Sequence, residues 1–321
     1  MIKVQWFYWL CAAFFAVVAL RIARDAEHPR RVGSTAFWGL LAFSFAYGSF
    51  VSAGSAPAWL LGVVVIAMAA VAGAGRTGRR PDRPDHEVRR ARADRYGNRL
   101  FVPALTIPVV AVLFGSVLNH VHLGGRPLLQ PASETLIGLG VASVLAVLVA
   151  CVVLRPVSAI APVREGQRLL EAVGWATLLP QMLATLGLLF TQSGVGAAVG
   201  RIVSAVLPSG SLIAAVVLYC LGMALFTIIM GNAFAAFPIM TAAIGWPVLV
   251  QHFGGNPAPV FAIGMLSGFC GTLCTPMAAN FNLVPAALLE MKDQYGPIKA
   301  QIPTAVPLWA CNVALMYVFA F

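Results

Sequence analysis

The residues best suited to chemistry are amides, hydroxyls and glycines embedded in apolar sequence. Thr191, Gln192, Ser193 and Gly194 form one group, Gly231 and Asn232 a second, and Thr272, Thr275, Asn280 and Asn282 a third. Pro238 and Pro276 accompany the second and third groups. In hydrocarbon every backbone N–H and C=O needs a partner, so non-helical backbone persists only where protein buries it or a polar cavity wets it. Breaks of this kind are the sequence signature of a transporter binding site. A half-helix that starts inside the membrane aims unpaired N–H groups and a positive dipole end at whatever fills the cavity. A small carboxylate fits such an arrangement without a neutralising arginine. Glycine and proline are common in membrane helices, so one break alone would carry little. Three breaks, each with an amide or hydroxyl, point to a site. Arg201, past the first group, is expected to snorkel to the interface.

Other chemistries find less support. All acidic residues fall in loops or at span ends, so no carboxylate is placed at mid-membrane as a proton relay would need. Sodium, held by carbonyl, hydroxyl and amide oxygens, is therefore favoured over protons as coupling ion, and no cofactor is expected. His28, His86, His120, His122 and His252 lie in links and loops. No Ser–His–acid or His-x-x-Glu-His arrangement appears, so the chain is not read as an enzyme. Cys270 and Cys274 are four apart but have no His or second Cys pair nearby to complete a tetrahedral metal site.

The elements that must position these groups are helices. Of 321 residues, 60% are hydrophobic and 10% charged, against about 25% charged in a soluble domain. Segments 4–22, 36–53, 58–74, 100–118 and 135–153 each meet the length of a span. The first has no strongly basic leader or clear cleavage site and is kept as a span rather than a signal peptide. Segment 163–173 reads as an amphipathic interfacial helix with Arg164, Glu165, Arg168 and Glu171 on its wet side. A helix over 174–190 followed by a piece too short to cross, 197–207, predicts a re-entrant hairpin with its tip at 191–196. Segments 211–250 and 258–289 read as single broken spans, and 302–321 as the last span. The expected fold is an all-α polytopic membrane protein of about eight spans plus the hairpin. It divides into a scaffold (1–153), an interfacial helix (154–173) and a transport half (174–321) with broken helices.

The formal charge of +10 is concentrated at 21–31, 76–99, 155–168 and the pair Lys292 and Lys299. Alternation of basic and uncharged links predicts a topology with the N-terminus outside the cytoplasm and anionic headgroups as neighbours. The long basic link 76–99 is read as a solvated loop that fixes orientation, not as a nucleic-acid-binding arm.

Gly-Asn-Ala-Phe-Ala-Ala-Phe-Pro at 231–238 and Gly-Thr-Leu-Cys-Thr-Pro-Met-Ala-Ala-Asn-Phe-Asn at 271–282 carry a resemblance. They are similar to a bacterial inner-membrane family, domain-of-unknown-function family 979. Its members are described as the larger subunit of a two-subunit pyroglutamate (5-oxoproline) transporter. The resemblance implies a smaller membrane partner, a carboxylate substrate and the bacterial inner membrane. The competing reading is a structural or regulatory subunit with no substrate site of its own. The two are separated by whether Asn232, Thr275, Asn280 and Asn282 line a common cavity. The C-terminal half also has no evident inverted copy in the chain, so a second subunit is expected to complete the carrier.

Overall fold

A computed structural model describes residues 1–79, 86–123, 126–155, 158, 160–206 and 210–321; of these, the side chains of 86, 89, 119, 122, 123, 126, 191 and 203–206 are not described. Pro81, Asp82, Pro84 and Asp85 of the basic link, the end of the short piece 197–207 and the side chain of Thr191 therefore lie outside the described residues. The regular elements of the described chain are helices, apart from a hairpin of two-residue strands, β1 (His122–Leu123) with β2 (Arg126–Pro127). Among the described residues eight helices are long and apolar enough to cross a membrane. The chain is an all-α polytopic membrane protein, as its composition requires. Large apolar side chains such as Ile66, Val152 and Leu188 lie mostly exposed, a surface that water would not tolerate and lipid does.

The chain forms two compact units, Met1–Gly174 and Trp175–Phe321. In the first, α1 (Gln5–Arg24) and α2 (Arg31–Ser52) pair through aromatic rings. Tyr8 meets Phe45 at 6.2 Å and Phe15 stacks on Trp38 at 5.9 Å, so the two run antiparallel. Next come α3 (Trp59–Gly73), α4 (His86–Tyr96) and α5 (Phe101–Val112), which continues through a π-type turn at Leu113–Val117. Then α6 (Glu134–Leu154) packs on both neighbours through glycines. A Cβ on Gly138 would meet Phe114, and one on Gly140 would meet the Phe7 ring at 2.4 Å.

The amphipathic helix α7 (Ala161–Val173) belongs to this unit and lies against α1. Gly166 sits over the Phe14 ring, and Gln167 accepts a hydrogen bond from Arg21 Nε at 2.9 Å. One expectation is corrected here. Glu171 is not on the wet side but buried, accepting from Gln167 Nε2 at 2.8 Å, with His28 Nε2 3.7 Å away. A carboxylate at that depth is held by polar partners, not by water.

The second unit contains α8 (Leu179–Gln192), α9 (Val195–Val206), α10 (Leu212–Met230) and α11 (Ala233–Met240). A wide π-type helix, Thr241–His252, continues α11, followed by α12 (Pro257–Thr272), α13 (Leu283–Leu288) and α14 (Gly296–Phe319). Its core gathers Tyr219, Met223, Met240, Ile244 and Leu249 on and around α10. α12 runs parallel to α10 at very short range because Gly264, Gly268 and Gly271 share one face. A Cβ there would strike Tyr219, Met223 and the Ala224 carbonyl oxygen, the last at 2.3 Å. Small residues on one stripe let two membrane helices touch backbone to backbone, where dispersion contacts are densest.

The place of the fold-back differs from expectation. Segment 211–250 is not one broken span. α10 has 19 residues and α11 with its continuation 20, about 28 and 30 Å at about 1.5 Å per residue, and each can cross alone. They fold back at Gly231-Asn232: Gly222 lies against Met240 and Gly245 against Tyr219. The pair α8–α9, expected as the hairpin, is instead bent at Ser193-Gly194. Gly187 faces Ala235, Gly196 faces Ile239 and Gly200 faces Ala243, so both helices advance along α11 in the same direction. Segment 258–289 also departs from a continuous span: α12 stops at Thr272, residues 273–282 are non-helical, and α13 is short. Finally, α14 begins at Gly296, ahead of the expected 302, and carries Pro303 and Pro307 inside the helix.

Candidate functional site

Two breaks meet in the second unit. At the first, Gly231 ends α10 in the left-handed region (φ 70°), its N–H donating to the Thr227 carbonyl. Glycine is the default residue for that conformation because it has no Cβ to clash. Space forbids a side chain as well: a Cβ at Gly231 would lie 2.5 Å from the Met277 backbone of the second break. Asn232 then caps α11, its side-chain oxygen accepting from Phe234 N–H at 2.9 Å. A helix thus starts at the point where the two breaks touch.

The second break is braced from inside. Thr275, buried, donates its hydroxyl to the Ile228 carbonyl at 2.8 Å and accepts from Met277 N–H at 3.2 Å. That ties residues 273–282 to the last turn of α10. Asn282, fully buried, donates through Nδ2 to the carbonyls of Thr272 (2.9 Å) and Thr275 (2.6 Å). These bonds satisfy backbone groups that the end of α12 leaves without helical partners. The Asn282 Oδ1 and Thr227 Oγ1 atoms are buried without hydrogen-bond partners among the described residues.

Between the breaks lies a cavity of about 130 Å³. Gly231, Asn232, Thr272 and Asn280 contribute to its lining, with Phe234 and Phe269 set edge to face at 5.8 Å. Leu179, Leu183 and Met277 close it on the apolar side. Among the described residues the wall carries amides, backbone and aromatic rings, and no carboxylate or arginine.

The three groups read from the sequence thus separate. Gly231, Asn232, Thr272 and Asn280 come together at the cavity. Thr275 and Asn282 are absent from its lining and hold the loop that forms its wall. Gln192, Ser193 and Gly194 are exposed and do not line it; the Ser193 hydroxyl donates to the Leu189 carbonyl one turn back. The aromatic pair and the Leu179–Leu183 wall are new residues at this site. Phe234 and Phe269 each neighbour a break in sequence, but apolar residues in apolar segments carry no signal of their own. Among the described residues no three His, Cys, Asp or Glu groups are placed to hold a metal ion.

No curated protein and no solved structure matches the chain. A family profile matches it over residues 5–321, almost its full length, and the chain belongs to the family described as "Protein of unknown function (DUF979)".

Proposed function

We propose that the chain is the membrane subunit of a secondary transporter for a small organic anion. The carrying observation is the junction of two backbone breaks around one cavity, with the capped start of α11 in its wall. A helix N-terminus stabilises negative charge through its free N–H groups and dipole. The Asn232 and Asn280 amides can orient a carboxylate and a ring amide, while Phe234 and Phe269 cover an apolar ring. Those features suit 5-oxoproline, the substrate implied by the resemblance of 231–238 and 271–282. At about 130 Å³ the cavity is below the usual range of ligand sites, about 300–1,000 Å³, which fits a small solute. Sodium as coupling ion would use neutral oxygens, and Asn282 Oδ1 and Thr227 Oγ1 are buried ones without partners. The bacterial inner membrane, an external N-terminus and a smaller membrane partner complete the proposal.

The test is uptake of labelled 5-oxoproline by proteoliposomes holding this chain with and without the neighbouring small membrane protein. Asn280 is exposed to the cavity and makes no bracing bond, so Asn280→Ala should leave folding intact and reduce uptake about tenfold, the loss of one hydrogen bond to a charged ligand. Unchanged uptake in that variant would remove the site. Full uptake by the chain alone would remove the partner, and uptake driven by a pH gradient but indifferent to sodium would remove the ion. No uptake with the partner present would favour a structural or regulatory subunit.

A further inference from the structure

The first unit holds a second, larger concavity whose character is opposite to that of the cavity just described. A groove of about 1760 Å³ opens where α1, α4, α6 and α7 end or begin, and eight arginines contribute to its lining with three acids. Three of those arginines are engaged: Arg21 with Gln167, Arg168 with Glu165 at 2.8 Å, and Arg95 over the Tyr96 ring. The guanidinium groups of Arg24, Arg92, Arg99, Arg155 and Arg164 have no hydrogen-bond or ion-pair partner among the described residues.

The three acids offset only part of this charge. Glu165 is taken by Arg168, Glu171 by Gln167, and Asp25 accepts from the Glu27 N–H. Eight arginines therefore share the groove with three carboxylates, and its lining stays strongly positive. An anion seated among the arginines relieves their mutual repulsion.

Two further features identify that anion. The floor of the groove is aliphatic: Leu100 and Val102 at the start of α5, and Val152 at the end of α6, are all exposed. Each stands where an apolar helical segment begins or ends beside arginines, as the boundary between acyl chains and headgroups requires. A ligand with a charged head and an apolar tail matches both walls, and a soluble anion matches only one. The second feature is Arg155 itself. It ends α6 in the left-handed region (φ 44°, ψ 65°), where glycine is the usual residue. An arginine held there puts a cation at the groove at a conformational cost, and such strain collects at functional positions.

We infer that this groove is a binding site for an anionic glycerophospholipid, its phosphate held among Arg92, Arg99, Arg155 and Arg164 and its acyl chains laid along Leu100, Val102 and Val152. Basic pockets at the polar ends of membrane helices recognise phospholipid headgroups by this combination of charge and depth. The site is independent of the transport reading and would stand if that reading fell.

The experiment uses the full chain, delipidated in neutral detergent and titrated with phosphatidylglycerol or phosphatidylcholine of identical acyl chains, with bound lipid counted by native mass spectrometry. Wild-type protein should bind phosphatidylglycerol at least about tenfold more tightly than phosphatidylcholine, given the usual contribution of each basic residue near an anionic headgroup. Replacing Arg92, Arg99, Arg155 and Arg164 with Gln should abolish the preference. A charge-matched control, Lys3→Gln, Arg31→Gln, Lys292→Gln and Lys299→Gln, should keep it. Arg155→Gly separates binding from folding: it should weaken phosphatidylglycerol binding several-fold while the melting temperature stays the same or rises. Equal binding of both lipids, or equal loss in the control, would overturn the assignment. Displacement of phosphatidylglycerol by soluble tripolyphosphate would also overturn it, in favour of a free polyphosphate.

Discussion

Ser193-Gly194 and Gly231-Asn232 are locally almost the same object. Each follows a helix, each has a glycine in the left-handed region (φ 72° and 70°), and each is followed by a new helix. Their surroundings differ. A Cβ at Gly194 would meet nothing within 4 Å, while one at Gly231 would collide with the Met277 backbone. The first glycine bends a helix pair that keeps its heading; the second is the vertex of a fold-back pressed against another break. A polar interruption becomes a site only when a second interruption is packed against it, because only then is the non-helical backbone both satisfied and walled.

Substitutions at the two bends test this contrast most directly. Gly231→Ala should destabilise the protein by about 2–4 kcal/mol, combining the left-handed penalty with overpacking, read as a lower melting temperature in detergent. Gly194→Ala should cost only about 1 kcal/mol, the conformational part alone. Equal effects at the two glycines would break the comparison.

Asn282→Leu ranks next, at about 1–3 kcal/mol, because it leaves the Thr272 and Thr275 carbonyls it binds without donors. The wall of the cavity should loosen with it, read as faster hydrogen exchange over residues 273–282. Asn232→Ala removes a cap that accepts from Phe234 N–H and should cost about 1 kcal/mol, with Asn232→Ser recovering most of it.

The smallest effect lies at the surface. Asp293 accepts from Lys299 Nζ at 2.7 Å and from the Tyr295 N–H, and these bonds hold its carboxyl below the ordinary 3.8. A depressed folded value stabilises the fold above the unfolded value, and that contribution is lost as pH falls below it. The pair is exposed, so Asp293→Asn should leave the melting temperature near neutral pH almost unchanged. A large change would show that the link before α14 is more tightly coupled to the fold than its exposure indicates.

The all-helical membrane class, four of the five expected first-half spans and the two breaks at Gly231 and near Thr275 were legible in the sequence, whereas the expected span 58–74 is the shorter helix Trp59–Gly73. Each rests on a local quantity: apolar length for the spans, and for the breaks the inability of Gly-Asn and Thr-Pro pairs to continue a lipid-facing helix. Which bend folds the chain back was not legible. Ser193-Gly194 and Gly231-Asn232 offer the same local conformation, and the choice depends on the glycines of α10 and of the π-type helix, Gly222 and Gly245, which let those two helices close on each other. Glu171 was misplaced for a similar reason: helical periodicity put it on the polar face of α7, and His28, far away in sequence, packs beside it. The separation of Asn232 and Asn280 at the cavity from Thr275 and Asn282 in its bracing was likewise decided by packing. An amide has the same chemistry in either role, and only the neighbour that takes its hydrogen bonds determines whether a ligand can.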